Sequence, residues 1–178
     1  GGVSISGPLN DPDFDGTLNV TNAVAKNPLV PNELGPFNSR LVFKGKDFTI
    51  PTVAIPVEND TVNAQCDFII DHWIPTQYDI EVTTTEDNEV PIKSVFGRVD
   101  VDGYCSGDLR IVGDFSQASI SGNLHAVRTT ITIAEAQSGE GKRSRFNYNV
   151  DLSITSGSQV EFLWPNKDFP IFITYSET

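Results

Sequence analysis

The sequence predicts an all-β fold, a strongly curved antiparallel β-sheet built from repeated hairpins and shaped as an open trough. Three observations predict it. Apolar residues recur with a period of two along nearly the whole chain, turn residues punctuate the runs, and one hairpin pattern occurs twice. Strict alternation gives a strand one apolar and one polar face. Val3, Ile5, Gly7 and Leu9 alternate with Ser4, Ser6 and Pro8, and Phe14, Gly16, Leu18 and Val20 follow in the same phase. Phe37–Phe43, Phe48–Ile50, Val53–Val57, Val62–Ile70 and Tyr78–Val82 continue it, then Gly97–Val101, Leu109–Phe115, Ile120–Leu124, Ile131–Ile133, Phe146–Ile154 and Ile171–Ile173. Between them stand turn-forming clusters: Asn10-Asp11-Pro12-Asp13, Lys44-Gly45-Lys46-Asp47, Glu58-Asn59-Asp60, Glu86-Asp87-Asn88 and Ser156-Gly157-Ser158. Short gaps of this chemistry imply hairpins in a meander. The best helical stretch, Ala134 to Gly141, is broken by its own Ser and Gly.

The repeat is the sharpest signal. Gly1, Val3, Ile5, Gly7, Leu9, Phe14, Gly16 and Leu18 recur without a gap as Gly107, Leu109, Ile111, Gly113, Phe115, Ile120, Gly122 and Leu124. Both copies, spanning 1–20 and 107–126, read as hairpins with loops of about four residues. That register sets Gly7 against Gly16 and Ile5 against Leu18, and Gly113 against Gly122 and Ile111 against Leu124.

Composition narrows the function. The chain has 178 residues, enough for one domain with its own core. A formal net charge of −12 repels nucleic acid and anionic bilayer surfaces. No apolar run approaches the roughly 20 residues of a membrane-spanning helix. The absence of Met and of a leader pattern reads as a segment of a longer chain. Cys66 and Cys105 lack metal-ligand spacing, and meander order keeps them too far apart for a disulfide, so both thiols are expected free.

The stretch GGVSISGPLNDPDFDGTLNVTNAVA, then NSRLVFKGKDFTIP and GDLRIVGDFSQASISGNLHAV, resembles the C-terminal part of TamB proteins, in the AsmA-like group. The shared features are a glycine-spaced hairpin with a DP turn and a following LVF-turn-FTI hairpin. The resemblance implies that residues 1–178 form one segment of a β-taco, a trough carrying phospholipid acyl chains. It implies a periplasmic location in a diderm bacterium, an inner-membrane anchor in the full chain, and an outer-membrane barrel-assembly partner of the TamA/BamA type. No catalytic residue, metal or cofactor is expected.

The inward phase names the expected lining. Ile5, Leu9, Phe14 and Leu18 come from the first hairpin, and Ile111, Phe115, Ile120 and Leu124 from the second. Leu41, Phe43, Ile50, Phe68, Ile80, Val99, Tyr148 and Leu152 continue it on the other strands. The alternatives are a chaperone for outer-membrane proteins using the same trough or its strand edges, and a β-sandwich binding module whose stripe is an ordinary core. Open edges also predict self-association of the chain.

Other motifs weigh less. Asp11, Asp13, Asp15 and Gly16 match the start of a calcium loop, but Asn22 stands where a bidentate Glu is required, so a solvated turn is expected. His72 and His125 show no triad spacing. Lys142, Arg143 and Arg145 form a basic cluster in a Gly/Ser-rich connection, read as a solvated loop. Phe162 to Pro170 receives no role.

Overall fold

The computed structural model describes residues 1–26, 33–85, 87–96, 99–133, 147–164 and 171–175. Among them are β1 (Gly2–Ser6), β2 (Asp13–Ala25), β3 (Leu34–Gly45), β4 (Asp47–Val57), β5 (Asp60–Asp71) and β6 (Ile74–Thr83). Then follow β7 (Val90–Phe96), β8 (Val99–Asp114), β9 (Gln117–Ile133), β10 (Asn147–Ser156), β11 (Val160–Trp164) and β12 (Ile171–Tyr175). All belong to one open sheet, ordered β1-β2-β3-β4-β5-β6-β8-β9-β11-β12, with β7 beside β8 and β10 beside β9. The fold is the all-β, mostly antiparallel sheet that the period of two predicts. No helix among the described residues is long and apolar enough to cross a membrane.

Two features depart from a plain meander. β6 and β7 lie end to end along one edge of β8, against Asp108–Asp114 and Val99–Cys105 respectively. β10 and β11 lie end to end along the far edge of β9, and both run parallel to it. A parallel neighbour requires a crossover, and the sequence reading expected hairpins throughout. Residues 134–146, which hold the broken helical stretch and the basic cluster and stand between β9 and β10 in sequence, lie outside the described residues.

The repeat survives in the pairing, with a corrected register. Ile5 faces Phe14 and Val3 faces Gly16, where Leu18 and Gly7 were expected. In the second copy Ile111 faces Ile120 and Leu109 faces Gly122. Both hairpins slip by the same amount, so equivalent residues keep equivalent partners. The slip is even, so every side chain stays on its expected face. The cause is turn chemistry. In the first copy Asp11 N–H donates to Pro8 O (3.0 Å), within a six-residue connection from Ser6 to Asp13. In the second, the Asp114 carboxylate accepts from Ser116 N–H (2.6 Å) and Gln117 N–H (3.0 Å), an Asx turn that leaves only Phe115 and Ser116 between strands.

Gly16 and Gly122 explain the shared glycines. Their φ values are 139° and 152°, and an added Cβ would lie 2.1 Å from the Gly2 and Asp108 carbonyl oxygens respectively. Each permits a close strand approach that a side chain forbids.

The inner face is covered in part by the sheet itself. β3 pairs with β4 only through Val42–Thr49, Phe43–Phe48 and Lys44–Asp47, then leaves it. Leu34 and Phe37, on the departed part of β3, pack on the buried Ile55, Val57 and Val62, with Val90 of β7. A second cluster, Ala126, Ile131 and Val160, packs with Val99 where β11 crosses onto β9.

Gly122→Ala should lower unfolding free energy by about 1–3 kcal/mol, because both φ and the Asp108 carbonyl must shift. Gly2→Ala, whose Cβ would meet nothing within 4 Å, should change it by under about 0.5 kcal/mol. Urea denaturation of the two variants checks the contrast.

Candidate apolar groove

The curl of the sheet encloses an apolar cavity of about 180 Å³. Leu34, Ile55, Val57, Val62, Ala64, Ile80 and Val82 line it from β3 to β6. Val90, Ile92, Cys105, Leu109, Ile111, Ile120, Leu124 and Leu152 line it from β7 to β10. All but Leu34 occupy the inward phase that alternation gives their strands. Thr84 adds a polar group already in use, since its Oγ1 accepts from Gly107 N–H (2.8 Å).

From this cavity the inner face runs toward the hairpin tips as an aromatic ladder. Phe14, Phe43, Phe48 and Phe68 come from β2 to β5. Successive ring centroids are 6.2, 4.9 and 5.4 Å apart, and the last two pairs are stacked. Trp73, in the β5–β6 turn, meets Phe14 edge-on at 5.4 Å. Cross-strand aromatic pairs hold neighbouring strands in register while presenting an apolar surface.

The tips are tied across the curl. Trp73 Nε1–H donates to Leu9 O (2.9 Å), and His72 N–H donates to Asp11 Oδ1 (3.3 Å). Lys46, from the β3–β4 turn, pairs with the Asp11 carboxylate and donates to Pro12 O (3.0 Å). This clasp fixes the β1–β2 connection against the β5–β6 turn. It also settles the acidic turn: Asp11, Asp71 and His72 come within 4.8 Å of one another, but the Lys46 ammonium already holds Asp11. A divalent cation would have to displace that ammonium. Asp15 lies in β2, paired with Ser4 and Lys44, so no calcium loop forms.

The expected lining divides into three groups. Ile80, Ile111, Ile120, Leu124 and Leu152 line the cavity. Phe14, Phe43 and Phe68 build the ladder, with Leu41 and Ile50 half-buried in the same inward phase. Ile5, Leu9, Leu18 and Phe115 are 58%, 88%, 42% and 67% exposed, the least covered of the expected lining. Leu9 and Phe115 sit in the connections themselves, which the assumed register had placed within strands. Val99 packs in the second cluster rather than the groove. Tyr148 keeps its β10 position opposite Ala118, and its side chain lies outside the described residues. Val57, Val62 and Leu109 were missing from the expected lining although alternation marked them as inward.

The remaining polar groups take separate partners. His125 Nδ1 lies 3.2 Å from Thr155 Oγ1, and His72 Nδ1 lies 2.9 Å from Asp71. Cys66 and Cys105 are free. Only β6 separates β5 from β8, one strand fewer than the meander order implied, yet Cys66 aligns through Ile80 with Ile111. Cys105 is six residues further along β8, roughly 20 Å by strand rise. Burial pushes both thiols up to about 11.

No protein-family model, curated protein or solved structure matches this chain. The resemblance to TamB-like proteins therefore stands on the hairpin and glycine pattern.

Two measurements follow from this geometry. The Lys46 hydrogen bond, then the His72 N–H, holds the Asp11 carboxyl below its ordinary value. A depressed carboxyl stabilises the clasp fully above its unfolded pKa and loses that contribution as pH falls through the folded value. Acidification below about pH 4 should shift Trp73 fluorescence, and Asp11→Asn should abolish that acid step. With the thiols raised from 9.0 to about 11, native alkylation at pH 8 should run about a hundredfold slower than in urea.

Proposed function

We propose that the chain carries phospholipid acyl chains along its apolar groove, as one segment of a conduit between membranes. The observation that supports this reading is the continuity of one apolar surface from a buried interior to an exposed rim. Phe68 of the ladder lies on the same face as the cavity-lining Ile80, two residues beyond its partner Cys66. The ladder ends among Leu9, Trp73 and Ile74, which are 88%, 50% and 55% exposed. A sandwich would hide its stripe, whereas exposed apolar patches mark sites that receive something apolar.

Physical chemistry asks little more of such a carrier. An acyl chain of about 14 methylenes gains roughly 11 kcal/mol gross on leaving water, before association costs are subtracted. Recognition needs continuous apolar contact and no fixed hydrogen bond. The cavity, about 180 Å³, is smaller than the ~300–1,000 Å³ of typical ligand sites, so the guest lies chiefly along the ladder and reaches Ile111 with its end. Further entry requires the β2–β3 leaf to swing out where its pairing with β4 stops.

Binding of a phosphatidylethanolamine with one fluorescent acyl chain tests the reading. Wild type and the exposed outer-face variant Asn63→Asp should bind alike. Ile111→Asp should lose at least tenfold in affinity, because an unpaired carboxylate in an apolar groove holds water, while its circular dichroism stays native. Phe48→Ser, nearer the open end, supplies a milder change if Ile111→Asp fails to fold. No binding by wild type, or binding indifferent to both variants, overturns the proposal.

A further inference from the structure

The β5–β6 turn puts a large side chain where the backbone least tolerates one. Asp71 pairs with Ile74, so His72 and Trp73 are the two central residues of the hairpin, with φ values of 50° and 68°. Two positive φ values in a two-residue loop are the type I′ geometry, which favours Asn-Gly. Trp73 is the bulkiest non-glycine residue at positive φ among the described residues. A side chain of that size stays in the left-handed region only where its surroundings over-determine it.

Those surroundings are the clasp. Trp73 Nε1–H donates to Leu9 O (2.9 Å), and His72 N–H donates to Asp11 Oδ1 (3.3 Å). Lys46 ties both sides together. Its ammonium pairs with Asp11, lies 3.8 Å from Asp13 and donates to Pro12 O (3.0 Å), and its carbonyl accepts from Ile70 N–H (2.8 Å). The indole held in this way meets Phe14 edge-on, with ring centroids 5.4 Å apart, and Phe14 is the first ring of the ladder. It therefore lies on the apolar surface along which a guest is carried. Yet Trp73 is itself 50% exposed. With half its surface in water, it gains less from burial than a core residue and can be exchanged for another apolar group.

We propose that Trp73 is an autoinhibitory plug: its indole covers the Phe14 end of the ladder in place of an acyl chain, and the Asp11–Lys46 clasp holds it there until a guest displaces it. The inference rests on the lipid-carrying reading of the groove and names what regulates that site. Indole and acyl chain compete for one surface. The apparent affinity is then the intrinsic affinity reduced by the fraction of molecules whose clasp is open. The turn gives the test its sign, because glycine at position 73 removes the plug and suits a φ of 68°.

Binding of phosphatidylethanolamine with one fluorescent acyl chain, measured on wild type and three variants, tests it. Trp73→Gly should bind about tenfold tighter, the gain expected where about one molecule in ten is open. Lys46→Met, which cuts the clasp and keeps the indole, should also bind tighter, by a smaller factor. Lys93→Met, which cuts the exposed pair with Asp102 outside the clasp, should bind as wild type does. Circular dichroism checks that each variant folds. Weaker or unchanged binding by either Trp73→Gly or Lys46→Met overturns the inference and leaves the lipid reading standing, with Trp73 as lining or support. Tightening matched by Lys93→Met overturns it too, since the loss of any positive charge would then suffice. No binding by wild type or any variant overturns the lipid reading, and this inference with it.

Discussion

A single sheet with one apolar face has no second layer to bury it, and the rest of this structure answers that constraint. The face is covered where the sheet folds over itself. β3 leaves β4 after Val42–Thr49 and brings Leu34 and Phe37 onto Ile55, Val57 and Val62. The tip clasp of Asp11, Lys46, His72 and Trp73 closes the curl at the other end. β8 and β9 form the spine, long enough for each outer edge to take two partner strands end to end. At the junction between those partners the ladder is interrupted near Gly103. There Thr129, 1% exposed, accepts from Tyr104 N–H and bonds the Tyr104 and Val127 carbonyls, so the irregular backbone is not left unpaired.

Fold class and facing were legible because they depend on alternation alone. Ile80, Ile111, Ile120 and Leu124 share the face that alternation gives them, and line one cavity. Register was not legible, because it depends on turns whose bonds are set in three dimensions. Asp114 folding its carboxylate back to Ser116 and Gln117 is a local device that the sequence permits and does not impose. Strand order failed for a related reason. β7 and β11 are short, and Val160–Trp164 lies in a stretch that showed no clean alternation. The parallel pairing of β10 follows from a crossover that periodicity does not encode. The clasp was invisible as well, since it joins residues 61 and 64 positions apart.

The repeat separates what a shared hairpin must keep from what it is free to vary. Gly16 and Gly122 keep the same close approach to a carbonyl, and the inward residues keep the same partners. The outer face varies: Ser4 in one copy is Arg110 in the other, and Arg110 pairs with Asp79 of β6. Backbone proximity is thus held by glycine, while outward residues differ between the copies.

The same inner face also resolves the opposition between core and groove. Burial falls along it from the β4–β5 turn, where Val57 is 1% exposed, to the tips, where Trp73 is half exposed. One end is covered as a sandwich core is, by Leu34 and Phe37 over Ile55, Val57 and Val62. At the other end, no strand among the described residues covers the phenylalanine ladder. An apolar rim of this kind is tolerable in water when the surrounding surface is charged and repels other copies, which the net charge of −12 provides. Charge and rim thus act in opposite senses on association, the first limiting what the second favours.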